Sequence, residues 1–299
     1  MRLLRTFLFA PGNRPRILQK VGLCGADAAI LDLEDAVPIA DKEATRPAVR
    51  AAIATITTCH VYVRINPLVA STDFSQAIGE ADLQAVVCPQ LSGIILPKVE
   101  SPADLQHTDQ LLQSLEEQHG IALGSIDLIP IIETALGVHR AYDIATAGTR
   151  VKRLAFGAGD FTRDIGVAWS RRETESQYAR STLVVASRAA GLEAPLDSVW
   201  ANLQDQRGLL HSTRMAKQLG FQGKMAIHPS QVEPINTVFS PTSDEIAYAH
   251  RLVAAFAEAE AQGLAAIQLD GRFLDYPIVE SARRVLAVAA ALPGSTAHA

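Results

Sequence analysis

Two carboxylates at the ends of apolar runs are the residues of this sequence best placed to do chemistry. Glu133 closes "LIPIIE" and Asp160 closes "LAFGAGD". Two acids without histidine or cysteine suit a hard cation, and Mg2+ takes few protein oxygens while keeping positions for water and substrate. Gly157 and Gly159 let the backbone approach closely beside Asp160. The alternative is that each acid pairs with a structural arginine or lysine. Arg64, near the end of "VYVRIN", can hold a carboxylate through two parallel hydrogen bonds, or it can form a structural salt bridge to Glu34 or Asp35. Those acids belong to "AAILDLEDAV", where Asp32, Glu34 and Asp35 fall inside and just after an apolar run. Buried carboxylates are costly unless a cation, a metal or a donor meets them. His228 in "AIHPS" is a base, a metal ligand or, more simply, a histidine that orders the loop before Pro229. Arg14, Arg16 and Lys20 follow the turn "PGN" at near-helical spacing, either holding phosphates or forming a solvated face. Asp275, after the Asp270-Gly271 turn, reads by itself as a surface acid.

These groups need elements to position them. Short apolar runs recur as "RTFLFAPGN", "ADAAILDLED", "HVYVRINP", "GIILPKVES", "IDLIPIIETA", "VKRLAFGAGD", a weaker "APLDSVWANLQD" and "GKMAIHPSQ". Each reads as a strand ending in a polar cluster. Helix-like segments lie between them, such as "SPADLQHTDQLLQSLEEQHG", with a Ser-Pro start and a glycine stop. Strands alternating with helices imply parallel pairing, and eight such units over roughly 230 residues fit an α/β fold of the (β/α)8 barrel type. A doubly wound open sheet is the competitor, but it predicts one ligand crevice rather than polar residues after every strand. In a barrel all the strand ends share one rim. That rim would hold Glu34, Asp35, Arg64, Asn66, Lys98, Glu100, Glu133, Asp160, Asp205 and His228. Past residue 240 the pattern changes to a capped helix starting at Thr242 or Ser243, a hairpin at Asp270-Gly271, and a final helix from about Pro277 to Leu292. The expected organisation is a barrel domain over 1–240 and an extension over 241–299 that reaches a neighbouring subunit, with a frayed tail "PGSTAHA".

Composition narrows the function. The 299 residues carry a net charge of −5, and 48% are hydrophobic against 20% charged. That balance permits a well-buried core. No Lys/Arg block of nucleic-acid type occurs, so neither a duplex nor an anionic membrane is the expected partner. No run approaches the length of a membrane span, and the N-terminal apolar stretch is too short for a secretory signal. Cys24, Cys59 and Cys88 are far apart, which disfavours structural zinc and suits a cytoplasmic location.

Seven segments, in order, carry a resemblance: "FLFAPGNRPRILQK", "GADAAILDLEDAVP", "VYVRINPL", "GIILPKVES", "PIIETALGV", "LAFGAGDFTRDIG" and "GKMAIHPSQV". Together they resemble the citrate lyase β-subunit-like family, grouped with malyl-CoA and citramalyl-CoA lyases among the HpcH/HpaI aldolases. The likeness spans about residues 5–235, and "DGRFLDYPIVESARRVL" resembles the family's C-terminal end. The resemblance implies that Glu133 and Asp160 are Mg2+ ligands and that Arg64 binds substrate. It implies that Phe9, Arg16 and Lys20 contact the CoA moiety and that Ile227 and His228 lie near the acyl-CoA arm. It also implies that Asp275 reaches the site from a neighbouring subunit of a trimer or a multiple of one. The chain is shorter than some malyl-CoA lyases, so a large C-terminal lid is not expected.

The reaction so implied is a reversible aldol/Claisen-type cleavage of a β-hydroxyacyl-CoA thioester. Mg2+ on Glu133 and Asp160 would engage the acid end, Arg64 would stabilise growing oxygen charge, Glu34 and Asp35 would hold Arg64 or the metal ligands, and Asp275 would act as acid/base on the acetyl carbon. Citramalyl-CoA is the first expected substrate. Malyl-CoA, β-methylmalyl-CoA and a citryl thioester on a carrier-protein partner remain open, since one methyl group is worth only about 1–3 kcal/mol of discrimination. A CoA-independent pyruvate aldolase, which would not need Arg16 and Lys20, and a non-catalytic acyl-CoA-binding protein are the other classes.

Overall fold

A computed structural model of the chain describes residues 3–68 and 73–292. Eight parallel strands close a barrel in chain order: β1 (Thr6–Pro11), β2 (Ala28–Asp32), β3 (His60–Arg64), β4 (Gly93–Leu96), β5 (Asp127–Ile132), β6 (Ala155–Phe156), β7 (Leu196–Asp197) and β8 (Gly223–Ala226). β8 pairs with β1, which abolishes free edges. The expected (β/α)8 architecture is therefore the one adopted. Helices cover the outside, so strands such as β2 and β5 are buried along their whole length and read as continuous apolar runs rather than alternating ones.

The pleat decides which residues reach the rim. Phe7, Ile30, Tyr62, Ile131 and Met225 share one core cluster inside the barrel. Side chains two positions further along a strand point to the same face. From those core residues, two steps toward the strand ends give Phe9, Asp32, Arg64, Glu133 and Ile227. The barrel interior thus continues upward, without a change of face, into most of the residues that could do chemistry.

Buried ion pairs brace the strands below. Asp127, at the start of β5, accepts from Tyr62 Oη at 3.0 Å and from Arg153 at 2.6 Å. Asp197 in β7 is fully buried between Arg180 at 2.6 Å and Lys224 at 2.5 Å. Burial opposes its charge, but those two cations outweigh it and hold its carboxyl below the ordinary range.

Helix starts follow local chemistry. The helix predicted from Ser101-Pro102 runs Pro102–Gln118, with Asp104 accepting the Ser101 N–H at 2.9 Å. Three rim expectations are corrected. β6 ends at Phe156, so Asp160 lies in the first turn of the helix Ala158–Asp164 rather than on a strand. β7 ends at Asp197, and Asp205 is not a strand-end residue. It caps the helix Gln206–Leu219, accepting the Gly208 N–H at 2.9 Å, because an Asp there satisfies an amide that the helix cannot. Asn66 is turned into the structure, donating to Leu33 O at 2.9 Å and pairing with Asp82.

The chain divides into two compact units, residues 4–236 and residues from 237 onward. The second unit contains the helix Ser243–Ala261, capped by Thr242, whose hydroxyl accepts the Glu245 N–H at 3.2 Å. An antiparallel hairpin follows, Ile267–Leu269 with Arg272–Leu274, turning through Asp270 and Gly271 at φ 51° and 75°. The last helix is Tyr276–Ala290. Phe256, Leu252, Leu274 and Val279 form this unit's own core. The tail expected to fray lies outside the described residues.

Candidate active site

β2 and β3 run in register with Asp32 opposite Arg64. Neighbouring residues on one face meet side chain to side chain, and here they form a bidentate pair: Arg64 Nε and Nη2 each donate to an Asp32 oxygen at 2.7 Å. Asp32 is itself fixed by the Glu34 and Ala36 N–H groups, both at 3.0 Å. Arg64 Nη1 adds Glu34 at 3.0 Å and stands 3.8 Å from Asp35. Its guanidinium lies 4.8 Å from the Phe9 ring centre, a cation–π contact. Burial opposes the charge on Arg64, but Asp32 and Glu34 outweigh it and push its pKa upward. The acids of "LDLEDAV" therefore face this guanidinium. Glu34 and Asp35 were expected there; the principal partner, Asp32, was not. Its signal was available, since both residues end adjacent strands.

Lys98 closes the web from the other side. Its ammonium pairs with Glu34, and its backbone, at φ 56°, turns the N–H onto Glu133 Oε1 at 2.9 Å. Burial lowers the Lys98 pKa, but Glu34 and Asp35 more than compensate and the net shift is upward. For Glu34, burial dominates over Arg64 and Lys98 and its pKa rises. Asp35 moves the opposite way: burial raises it, and Lys98 and Arg64 together carry it below the ordinary value.

Glu133 and Asp160 line one cavity of about 460 Å³, together with Lys98, Glu100, Arg163 and Asp164. Glu133 is 4% exposed, and Oε1 accepts the Lys98 N–H while Oε2 has no hydrogen-bond partner among the described residues. Its pKa is raised to about 8 by burial first, then by the like charges of Asp160 and Glu34. Gly157 makes room for it: a methyl group there would stand 2.6 Å from Glu133 Cβ and closer still to the carboxylate. One Asp160 oxygen is held by Arg163 at 2.7 Å. A buried, half-satisfied carboxylate facing a second acid calls for a cation, and a two-oxygen donor set with open cavity around it fits Mg2+. Among the described residues no cluster of three or more His, Cys, Asp or Glu side chains is arranged for a metal, so a fully protein-enclosed site is not what these residues build.

Phe9, Arg16, Lys20, Ile227 and His228 line a second cavity, of about 440 Å³. Pro11, at the end of β1, lines it as well, and the next residue, Gly12, packs directly on β2, donating its N–H to Asp32 O at 2.9 Å. Arg16 and Lys20 come from the helix Pro15–Val21. Phe9 and Ile227 also line a smaller chamber of about 230 Å³ that contains Asp32, Arg64 and Val199. The basic groove and the arginine chamber thus share walls. His228 orders the loop as expected, its Nδ1 accepting the Ser230 N–H at 3.2 Å, and it borders the groove as well. Asp275 belongs to the second unit, where it caps the last helix and accepts the Ile278 N–H at 3.3 Å. No described helix is long and apolar enough to cross a membrane.

Comparison with known proteins gives one consistent answer. The sequence profile of the HpcH/HpaI aldolase/citrate lyase family matches residues 5–229. A citrate lyase subunit beta of Leuconostoc mesenteroides subsp. cremoris is 38% identical, covering 96% of this chain and 94% of that protein. A mitochondrial citramalyl-CoA lyase of Rattus norvegicus is 32% identical over 96% of this chain and 86% of its own length. A solved structure of the Mycobacterium tuberculosis protein CitE, in complex with magnesium, acetoacetate and coenzyme A, superimposes with a TM-score of 0.76 at 29% identity. It covers 97% of this chain and 99% of that one.

Proposed function

This chain belongs to the HpcH/HpaI aldolase/citrate lyase family, and from that premise and the geometry of its rim we propose that it is a Mg2+-dependent carbon–carbon lyase acting on a β-hydroxyacyl-CoA thioester. Citramalyl-CoA, giving acetyl-CoA and pyruvate, is the substrate we put first; malyl-CoA and β-methylmalyl-CoA are its alternatives. One observation carries the reading. The carboxylates of Glu133 and Asp160 border one cavity, and the Lys98–Glu34–Arg64 web links it to a chamber continuous with the groove of Arg16 and Lys20.

Glu133 and Asp160 hold the cation, which when bound supplies Lewis-acid polarisation of the hydroxyl and carboxylate oxygens at the acid end. Arg64 donates two of its five N–H groups to Asp32 and sets Nη1 3.0 Å from Glu34 as an ion pair, so it is held in place and has N–H groups left for oxygen charge that grows as the bond breaks. Loss of the hydroxyl proton and scission of the adjacent carbon–carbon bond leave a 2-oxo acid and an acetyl-CoA enolate, which an acid protonates at carbon. We assign that acid/base to Asp275 of a neighbouring copy in a trimer or a multiple of one, with residues 241–299 as the reaching segment. Arg16 and Lys20 pair with CoA phosphates, while Phe9, Ile227 and His228 border the pantetheine arm. Free Cys24, Cys59 and Cys88 fit a reducing, cytoplasmic setting.

The test is Mg2+-dependent release of 2-oxo acid from citramalyl-, malyl- and β-methylmalyl-CoA. Turnover highest with citramalyl-CoA and abolished by EDTA supports the proposal. Turnover with none of them, in a protein that still binds CoA, rejects it. The Leuconostoc relative's name favours a second reading, a citryl thioester on a carrier-protein arm. Activity on a citryl carrier but not on free CoA esters would select it.

A further inference from the structure

The short helix Ala158–Asp164 carries Asp160, and side chains hold it at both ends. At its start the Ala158 N–H donates to Ser198 Oγ at 2.8 Å, and Ser198, immediately after β7, is buried. At its end Asp164 Oδ2 accepts the Ala135 N–H at 2.7 Å. Ala135 lies two residues beyond Glu133, so this bond joins the Asp160 helix to the segment that carries the other carboxylate. A helix of 7 residues is too short to hold its own position, which its ties must set. Glu133 is pinned from a different direction by the Lys98 N–H. A shift of the helix therefore changes the distance between the two carboxylates rather than moving them together.

We propose that Ser198 and Asp164 are positioning residues that fix the span between Glu133 and Asp160, and with it the site's preference for Mg2+ over Ca2+. This rests on the metal reading given above. Mg2+ demands near-octahedral geometry with bonds of about 2.0–2.1 Å, whereas Ca2+ accepts looser shells at about 2.3–2.6 Å. Loosening either tie penalises the smaller ion more. A bond that only satisfied a helix amide would affect stability and leave ion preference unchanged.

The experiment is calorimetric titration of the full chain with Mg2+ and, separately, Ca2+, for the parent, Ser198→Ala, Asp164→Ala and Asp164→Asn, with melting temperatures taken in EDTA. Ser198→Ala and Asp164→Ala are expected to weaken Mg2+ binding about 10–100-fold, the range for groups that orient metal ligands, and Ca2+ binding by less than about threefold. Asp164→Asn keeps an oxygen for the Ala135 N–H and stays within about threefold of the parent for both ions. Lower melting temperatures with Mg2+ affinities within about twofold of the parent would reduce the two bonds to helix caps and overturn the inference. Asp164→Asn behaving like Asp164→Ala would also overturn it, since charge rather than the tie would then be responsible. If Ser198→Ala does not fold, the exposed Asp164 pair decides alone. A parent that binds Mg2+ while these variants match it fails the inference only; a parent that binds no Mg2+ fails the metal reading itself.

Discussion

Replacing Glu133 by Gln should stabilise the metal-free protein, and by an amount that depends on pH. In the fold its pKa is raised from 4.5 to about 8, because the ionised form is buried beside Asp160 and Glu34. The folded state thus keeps a proton that the unfolded chain has lost, and folding stability falls as pH rises through that window. Below about pH 4.5 the group contributes no penalty; above about pH 8 the penalty is complete. A difference of about 3.5 pKa units corresponds to about 5 kcal/mol at high pH and about 3 kcal/mol at pH 7. Gln has the same shape and keeps an oxygen for the Lys98 N–H. Urea unfolding in EDTA between about pH 5 and about pH 9 measures this directly. The variant and parent should converge at the acid end and separate by several kcal/mol at the alkaline end. Saturating Mg2+ should reverse the order, stabilising the parent and not the variant. Parallel stability curves across the pH range, in EDTA, would refute the claim that Glu133 is a buried, uncompensated charge.

Three further outcomes follow from the same geometry. Gly157→Ala is compatible with the backbone at φ −111°, but its methyl group meets Glu133 Cβ as well as the carboxylate, so the end of β5 must shift; Mg2+ affinity measured by calorimetry should fall at least about tenfold and the melting temperature should fall with it. Arg16→Ala and Lys20→Ala should each weaken CoA binding by about tenfold, less at high salt, while leaving turnover at saturating substrate nearly unchanged; unaltered CoA affinity would return both residues to a solvated face. Asp275→Asn should keep its melting temperature, because Asn caps a helix as well as Asp does, yet lose lyase turnover by about 10²-fold or more; full turnover would reject the acid/base assignment.

The barrel was legible because strand-length apolar runs alternate with helical periodicity, and because each of the longer strands ends in a polar cluster. Glu133 and Arg64 were legible for the same reason: each follows its strand's buried core residue at the pleat's own spacing. β6 and β7 were read too long. Their sheet pairing stops after two residues each, and a helix start at Ala158 and the capped helix Gln206–Leu219 take over the polar residues beyond. Of the partners of Arg64, Glu34 was legible and Asp32, two residues earlier in the chain, was missed. Asp32 pairs with Arg64 through strand register, a long-range relation that no local spacing displays. One contact left no sequence signal at all: the left-handed backbone of Lys98 that aims its N–H at Glu133. The hold of Arg163 on Asp160 is an i,i+3 pair, visible only once that segment is assigned to a helix rather than to the end of a strand. The grouping of Phe9, Arg16, Lys20, Ile227 and His228 on one groove came from the resemblance, and barrel closure between β8 and β1 is what brings the two ends of that set together.

The central claim is that Glu133 and Asp160 share one cation beside Arg64. Anomalous diffraction from crystals soaked in Mn2+ tests it most directly. The account predicts one strong peak bonded to an oxygen of each carboxylate, within the cavity that Lys98 and Arg163 border. A peak held by other residues, or a map with no peak between those two carboxylates at saturating Mn2+, would contradict it.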